Sequence, residues 1–83
     1  MTSEEIIAQL NLIFRNVMDN DDIAVNMQTT ASDVEEWDSL THIQLIVAIE
    51  KHFKIRFNSN EISTFKNVGE MVNSVSQKLA AKV

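Results

Sequence analysis

The chain has 83 residues, no cysteine and a net charge of −5. That is one domain's length, too small to enclose an active site of many converging groups, and without thiols it forms no disulfide and offers no thiolate. Seven basic residues against twelve acidic ones exclude a protein that grips nucleic-acid phosphates and point to partners with basic surfaces. The segment Thr2 to about Asn20 reads as a helix, because Ile6, Leu10, Ile13, Phe14 and Val17 recur at spacings of three and four. Thr2 with Glu5 three residues on is a capping box.

From Asp19 to Asp38 no helical period survives. Ile23, Val25 and Met27 alternate, as in an extended loop tacked to a core, and a connection this long is often functional. "DNDDIAVNMQTT" opens like a calcium loop, but Ile23, Ala24 and Thr30 stand where an oxygen ligand, glycine and glutamate are required. His42 and His52, ten apart with no cysteine, give no zinc pattern, so no metal is expected.

The second helix is expected from Ser39 to about His52. Asp38 is its N-cap, Trp37 lies just outside the cap, and His42 is placed to meet Trp37 in a hydrophobic staple. Leu40, Ile43, Leu45, Ile46, Val47, Ile49 and Phe53 cover more than half its circumference, which predicts packing on more than one side. Lys51, His52 and Lys54 complement the negative end of its dipole. "KIRFN" has the composition of a strand but nothing to pair with. "NSNEIST" predicts a short helix or turn capped by Asn58 or Ser59, with Ile62 and Phe65 inward. A last helix from Asn67, with Glu70 capping back, carries Val68, Met71, Val72, Val75 and Leu79. The fold class is all-α: three main helices, one short one and a long first loop, a small four-helix bundle forming a single domain over 1–83. The longest apolar run, "LIVAI", is far below the ~20 residues of a membrane span. The acidic N-terminus lacks the basic flank of a signal peptide, so a cytoplasmic monomer is expected.

Ser39 carries the functional question. Asp38, Ser39 and His42 imitate a hydrolytic triad, but Asp38 is needed at the cap and no oxyanion hole is evident. Taken alone, Ser39 starts a helix. A phosphate on its hydroxyl would also meet free first-turn amides and the positive end of the dipole. "DSL" at Asp38-Ser39-Leu40, the helix "SLTHIQLIVAIEKHFKI", its "IEKHF" close, the following "KIRF" and the entry "TFKNVGEM" to the last helix resemble the carrier-protein family of acyl, peptidyl and D-alanyl carriers. The layout matches over nearly the whole chain.

The resemblance implies that Ser39 holds 4′-phosphopantetheine, transferred from coenzyme A by a magnesium-dependent phosphopantetheinyl transferase. Asp38 and Leu40 would be part of the recognised motif. The imported thiol would carry acyl groups as thioesters between acyl-loading, acyl-transferring and condensing enzymes, and the chain itself would not be an enzyme. Trp37, Leu40, Glu35, Glu36, Ile43, Gln44 and Val47 would face partners. Ile46, Ile49, Phe57, Ile62, Phe65 and Met71 would line a pocket for the acyl chain.

The family's glycine before the aspartate is Trp37 here, and the early second helix reads Thr41, His42, Gln44 where fatty-acid carriers are acidic. The acids fall earlier, at Asp33, Glu35, Glu36 and Asp38. That favours a dedicated pathway with its own loading enzyme. The missing glycine-rich lead favours an acyl carrier over a peptidyl one, and the absence of linkers leads to the expectation of a free-standing protein; within the family the alternative is an aminoacyl or D-alanyl carrier. Outside the family the alternative is an unmodified helical adaptor.

Overall fold

The computed structural model describes residues 2–81. Met1 and residues 82–83, the two ends of the domain expected over 1–83, lie outside the described residues. Four helices follow one another: α1, Ser3–Met18; α2, Ser39–Phe53; α3, Ser59–Thr64; and α4, Val68–Ala81. α1 packs against α2 and α4. "KIRFN" is not a strand; the only β-type pairing among the described residues is an isolated bridge between Thr30 and Asn67.

α1 begins at the expected capping box, with Glu5 N–H donating to Thr2 Oγ1 and Thr2 N–H donating to Glu5 Oε1. It ends at Met18, two residues short of the expected bound near Asn20, because Asp19 turns left-handed with φ 53°. Its core face is Ile6, Leu10, Ile13, Phe14 and Met18, with Val17 only half-buried. α2 is capped by Asp38 and ends where Lys54 turns left-handed. α3 is capped by Asn58, whose Oδ1 accepts from Glu61 N–H at 2.8 Å.

The loop between α1 and α2 is tied down along its length. Asn11 of α1 makes a two-way pair with Val25: its Oδ1 accepts from Val25 N–H at 2.7 Å and its Nδ2 donates to Val25 O at 3.2 Å. Arg15 Nε donates to Ile23 O at 2.7 Å. Ile23 and Val25 are buried and Met27 packs on the core, as the alternation predicts. The loop also supplies acceptors for α4: Val68 N–H donates to Thr29 O and Gly69 N–H to Met27 O, at 2.8 and 2.9 Å. These two amides would otherwise be orphans of the helix start. The loop thus leads into Ser39 from a fixed platform.

One expectation fails on α2. Leu45, Ile46, Ile49 and Phe53 are buried, but Leu40, Ile43 and Val47 remain 68, 53 and 43% exposed. α2 is therefore packed on one face, and its second apolar stripe, at i, i+3 and i+7, faces outward. The periodicity is right, but only α1, α3 and α4 are available, and they sit on one side of it.

Candidate functional site

Ser39 is the first helical residue of α2, exposed at the end of the tethered loop. Asp38 fixes that end. Its Oδ1 accepts from Leu40 N–H at 3.0 Å and Thr41 N–H at 2.9 Å, while Thr41 Oγ1 accepts from Asp38 N–H at 2.8 Å and donates to Glu36 O at 2.8 Å. A threonine thus completes the capping box. The Thr41 amide, aided by the Thr41 hydroxyl and the Leu40 amide, holds the Asp38 carboxyl below its ordinary value. These bonds correct one expectation. The Leu40 and Thr41 amides are taken by Asp38 and so are not free to meet a phosphate. A phosphodiester on Ser39 would have the helix dipole in its favour and the Asp38 carboxylate, in water, against it.

The triad imitation is not assembled. His42 Nδ1 accepts from the Trp37 indole N–H at 3.1 Å, since the indole is donor only. The ring's proton therefore sits on Nε2, which lies 3.1 Å from Ile62 O and donates to it. Both nitrogens are engaged away from Ser39, so His42 does not serve as its base. The hydroxyl of Ser39 has no hydrogen-bond partner among the described residues. It is presented, not activated.

Trp37 is where the staple predicts, stacked on His42 with ring centroids 6.0 Å apart. It is 5% exposed, with its ring edge-on to Phe14 at 5.1 Å. This corrects its assignment to the partner-facing set: it supports the site from beneath. His42 meets Phe65 edge-on at 6.4 Å, and Phe65 meets Phe57 at 5.3 Å. A chain of five rings so runs from α1, under Ser39, to the segment flanking α3.

Beside Ser39 opens a cleft of about 400 Å³, bounded by Trp37, Asp38, His42, Ile43, Ile62 and Phe65. Of the six residues expected to line an acyl pocket, Ile62 and Phe65 reach this cleft. Ile46, Ile49 and Met71 lie in the closed core, and Phe57 is half-buried beside it. They do not line the cleft with Ile62 and Phe65. Of the expected partner-facing residues, Leu40, Ile43, Gln44 and Val47 share the open side of α2, and Glu35 is exposed. Glu36 is half-buried and accepts from Asn20 Nδ2 at 2.8 Å, and Asp33 accepts from Thr30 N–H at 3.0 Å, so both acids also brace the loop.

Charge is segregated along α2. The loop before it carries Asp19, Asp21, Asp22, Asp33, Glu35, Glu36 and Asp38 with no lysine or arginine, whereas Lys51, Lys54 and Arg56 cluster at its far end. No group of three potential metal ligands occurs among the described residues, and no helix there is long and apolar enough to cross a membrane.

Comparison with known proteins places this arrangement. Residues 8–75 match the model of a family described as "Phosphopantetheine attachment site". Acyl carrier proteins of Petrotoga mobilis and Acidothermus cellulolyticus are each 28% identical, over 95 and 92% of this chain and 93 and 90% of theirs. The solution structure of a holo acyl carrier protein from Geobacter metallireducens superposes with a TM-score of 0.86 at 45% identity, covering 92% of this chain and 87% of that one. The crystal structure of an acyl carrier protein from Thermotoga maritima gives 0.87 at 26% identity, covering 98 and 94%. With its four helices, its presented serine and a family match over most of its length, the chain belongs to the acyl carrier protein family, whose domain bears a covalent 4′-phosphopantetheine.

Proposed function

We propose that Ser39 is the attachment point of the phosphopantetheine, and that the protein carries acyl groups for a dedicated biosynthetic pathway without catalysing a reaction itself. The observation that carries this reading is the hydroxyl of Ser39: exposed, without an internal partner, and set by the Asp38 cap at the first position of a rigid helix. In loading, the Ser39 oxygen bonds to the phosphorus that carries the pantetheine in coenzyme A, the diphosphate P–O bond breaks, adenosine 3′,5′-bisphosphate leaves and the hydroxyl's proton passes to a base; the activating groups belong to a phosphopantetheinyl transferase. When bound, the arm supplies the thiol that this cysteine-free chain lacks, and holds the acyl group as a thioester.

The exposed stripe of Leu40, Ile43 and Val47, with Gln44 beside it and Glu35 and Glu36 before it, is the surface offered to loading, transferring and condensing enzymes. An apolar ridge next to the tether suits partners that bury it on contact. The early turns of α2 hold no acid, which favours enzymes specific to one pathway over those that read an acidic helix. Fragmentation of the modified protein is expected to place the adduct on Ser39. An adduct on another residue contradicts the assignment. Incubating the modified protein with adenylating or acyl-transferring enzymes and a panel of carboxylic and amino acids is expected to give acyl thioesters; aminoacyl thioesters alone would overturn the acyl reading.

A further inference from the structure

α3 is held from both sides. It buries none of its own residues. Toward α4, Glu61 pairs with Lys78 at 2.9 Å and accepts from Ser74 Oγ at 3.4 Å, and Lys78 also lies 5.5 Å from the centre of the Phe57 ring flanking α3. Toward α2, the Phe57 amide just before α3 donates to Glu50 Oε2 at 2.8 Å, and beside the cleft His42 Nε2–H donates to Ile62 O. The cleft beside Ser39 lies at the second of these contacts, with His42 and Ile62 on its wall.

We propose that His42 is a latch that pins α3 to α2 over the cleft. Releasing it lets the cleft side of α3 swing about its anchors at Phe57 and Glu61, and so sets how easily the cleft admits the acyl group borne by Ser39's own arm. This rests on the reading of Ser39 as the tether. Trp37 is part of the device. Its indole N–H fixes the His42 tautomer, so that the proton on Nε2 always faces Ile62. A histidine lacking that neighbour would spend part of its time in the other tautomer, with an acceptor facing a carbonyl. His42 here is a positioning residue and touches no reacting atom. A short helix with no buried residue and few tethers belongs to the low-stability end of a fold, where local opening is measurable.

Amide hydrogen exchange on the unmodified protein tests the latch without requiring any attachment. Losing one hydrogen bond should speed exchange of the α3 amides about fivefold in His42→Ala, with those of α1 and α4 unchanged. His42→Gln, which can return a donor to Ile62 O, should recover most of the protection. Unchanged α3 exchange in His42→Ala, or a loss shared equally by α1 and α4, overturns the proposal. The second arm loads wild-type protein with butyryl-, octanoyl- or dodecanoyl-pantetheine from the corresponding coenzyme A thioesters, using a broad-specificity transferase. Intact mass confirms loading, and failure there counts against the tether, not the latch. The octanoyl and dodecanoyl forms should show faster α3 exchange than the unacylated form and a changed emission of Trp37, the one tryptophan in a chain without tyrosine. Identical α3 exchange and Trp37 emission in the acylated and unacylated forms overturn the gating role.

Discussion

Replacing Gly69 by alanine should destabilise the protein, opposite to the usual sign for such a change in a helix. In open space the substitution gains up to ~1 kcal/mol of helix propensity. Here the added Cβ would stand 2.8 Å from Met27 O and 3.2 Å from Asn67 Oδ1. The first atom is backbone, held by the Gly69 N–H itself at 2.9 Å, so it has nowhere to retreat without lengthening that bond and the adjacent Val68 N–H to Thr29 O bond. Overpacking of this kind costs ~1–3 kcal/mol, and each weakened hydrogen bond adds ~0.5–1.5 kcal/mol. The loss exceeds the gain, and the net effect is a destabilisation of ~1–5 kcal/mol. A change of 1 kcal/mol is worth ~4–8 °C in the melting temperature of a domain this size. Thermal or urea unfolding of the variant reads it directly. A melting temperature equal to or above that of the wild type would refute the close approach of the loop to α4, and with it the platform that leads into Ser39.

Asp38→Asn should be less stable than the wild type at neutral pH, because it keeps a capping oxygen but gives up the charge at the helix start. The Asp38 carboxyl titrates below its ordinary value when folded, so its contribution is present above the unfolded value and is lost as pH falls through the folded one. Melting curves of the two proteins should therefore converge below pH ~4; a constant gap would show that the charge is not involved. Asp19→Gly should stabilise by ~0.5–1 kcal/mol, since residue 19 is left-handed at the C-terminal end of α1 and a negative charge there opposes the dipole. Unfolding midpoints check the sign. Lys78→Ala should destabilise by ~1 kcal/mol through its exposed-edge ion pair with Glu61 and its contact with Phe57, and a cycle with Glu61→Ala should recover no more than ~1 kcal/mol of coupling. Leu40→Ala and Ile43→Ala bury little in the fold, so their melting temperatures should stay within ~0.5 kcal/mol equivalents of the wild type while transfer of phosphopantetheine slows; unslowed transfer would remove the stripe from transferase recognition.

The helices were legible because their signals are local. Thr2 with Glu5, Asp38 before an apolar run, and the spacing of Ile6, Leu10, Ile13 and Phe14 are each fixed within a few residues, and each forms as expected. The contacts that build the site join distant residues, and a single sequence does not report them. Nothing in Asn11 signals that its side chain will imitate a strand partner for Val25, and nothing near Gly69 signals that Met27 O will press against it. His42 shows the boundary most clearly. Its meeting with Trp37 is a spacing of five along the chain and was predictable; its reach to Ile62, twenty residues on, is tertiary. The exposed stripe of α2 shows the same boundary: periodicity counts apolar faces, but only the packing says which of them another helix of this chain covers.

The hydroxyl of Ser39 as a tether is tested most directly by intact mass. Wild-type protein and Ser39→Ala are incubated side by side with coenzyme A, magnesium and a broad-specificity phosphopantetheinyl transferase. The wild type should gain the mass of one phosphopantetheinyl group and the variant none. A wild type that gains nothing, or a variant that still gains the group, would contradict the account.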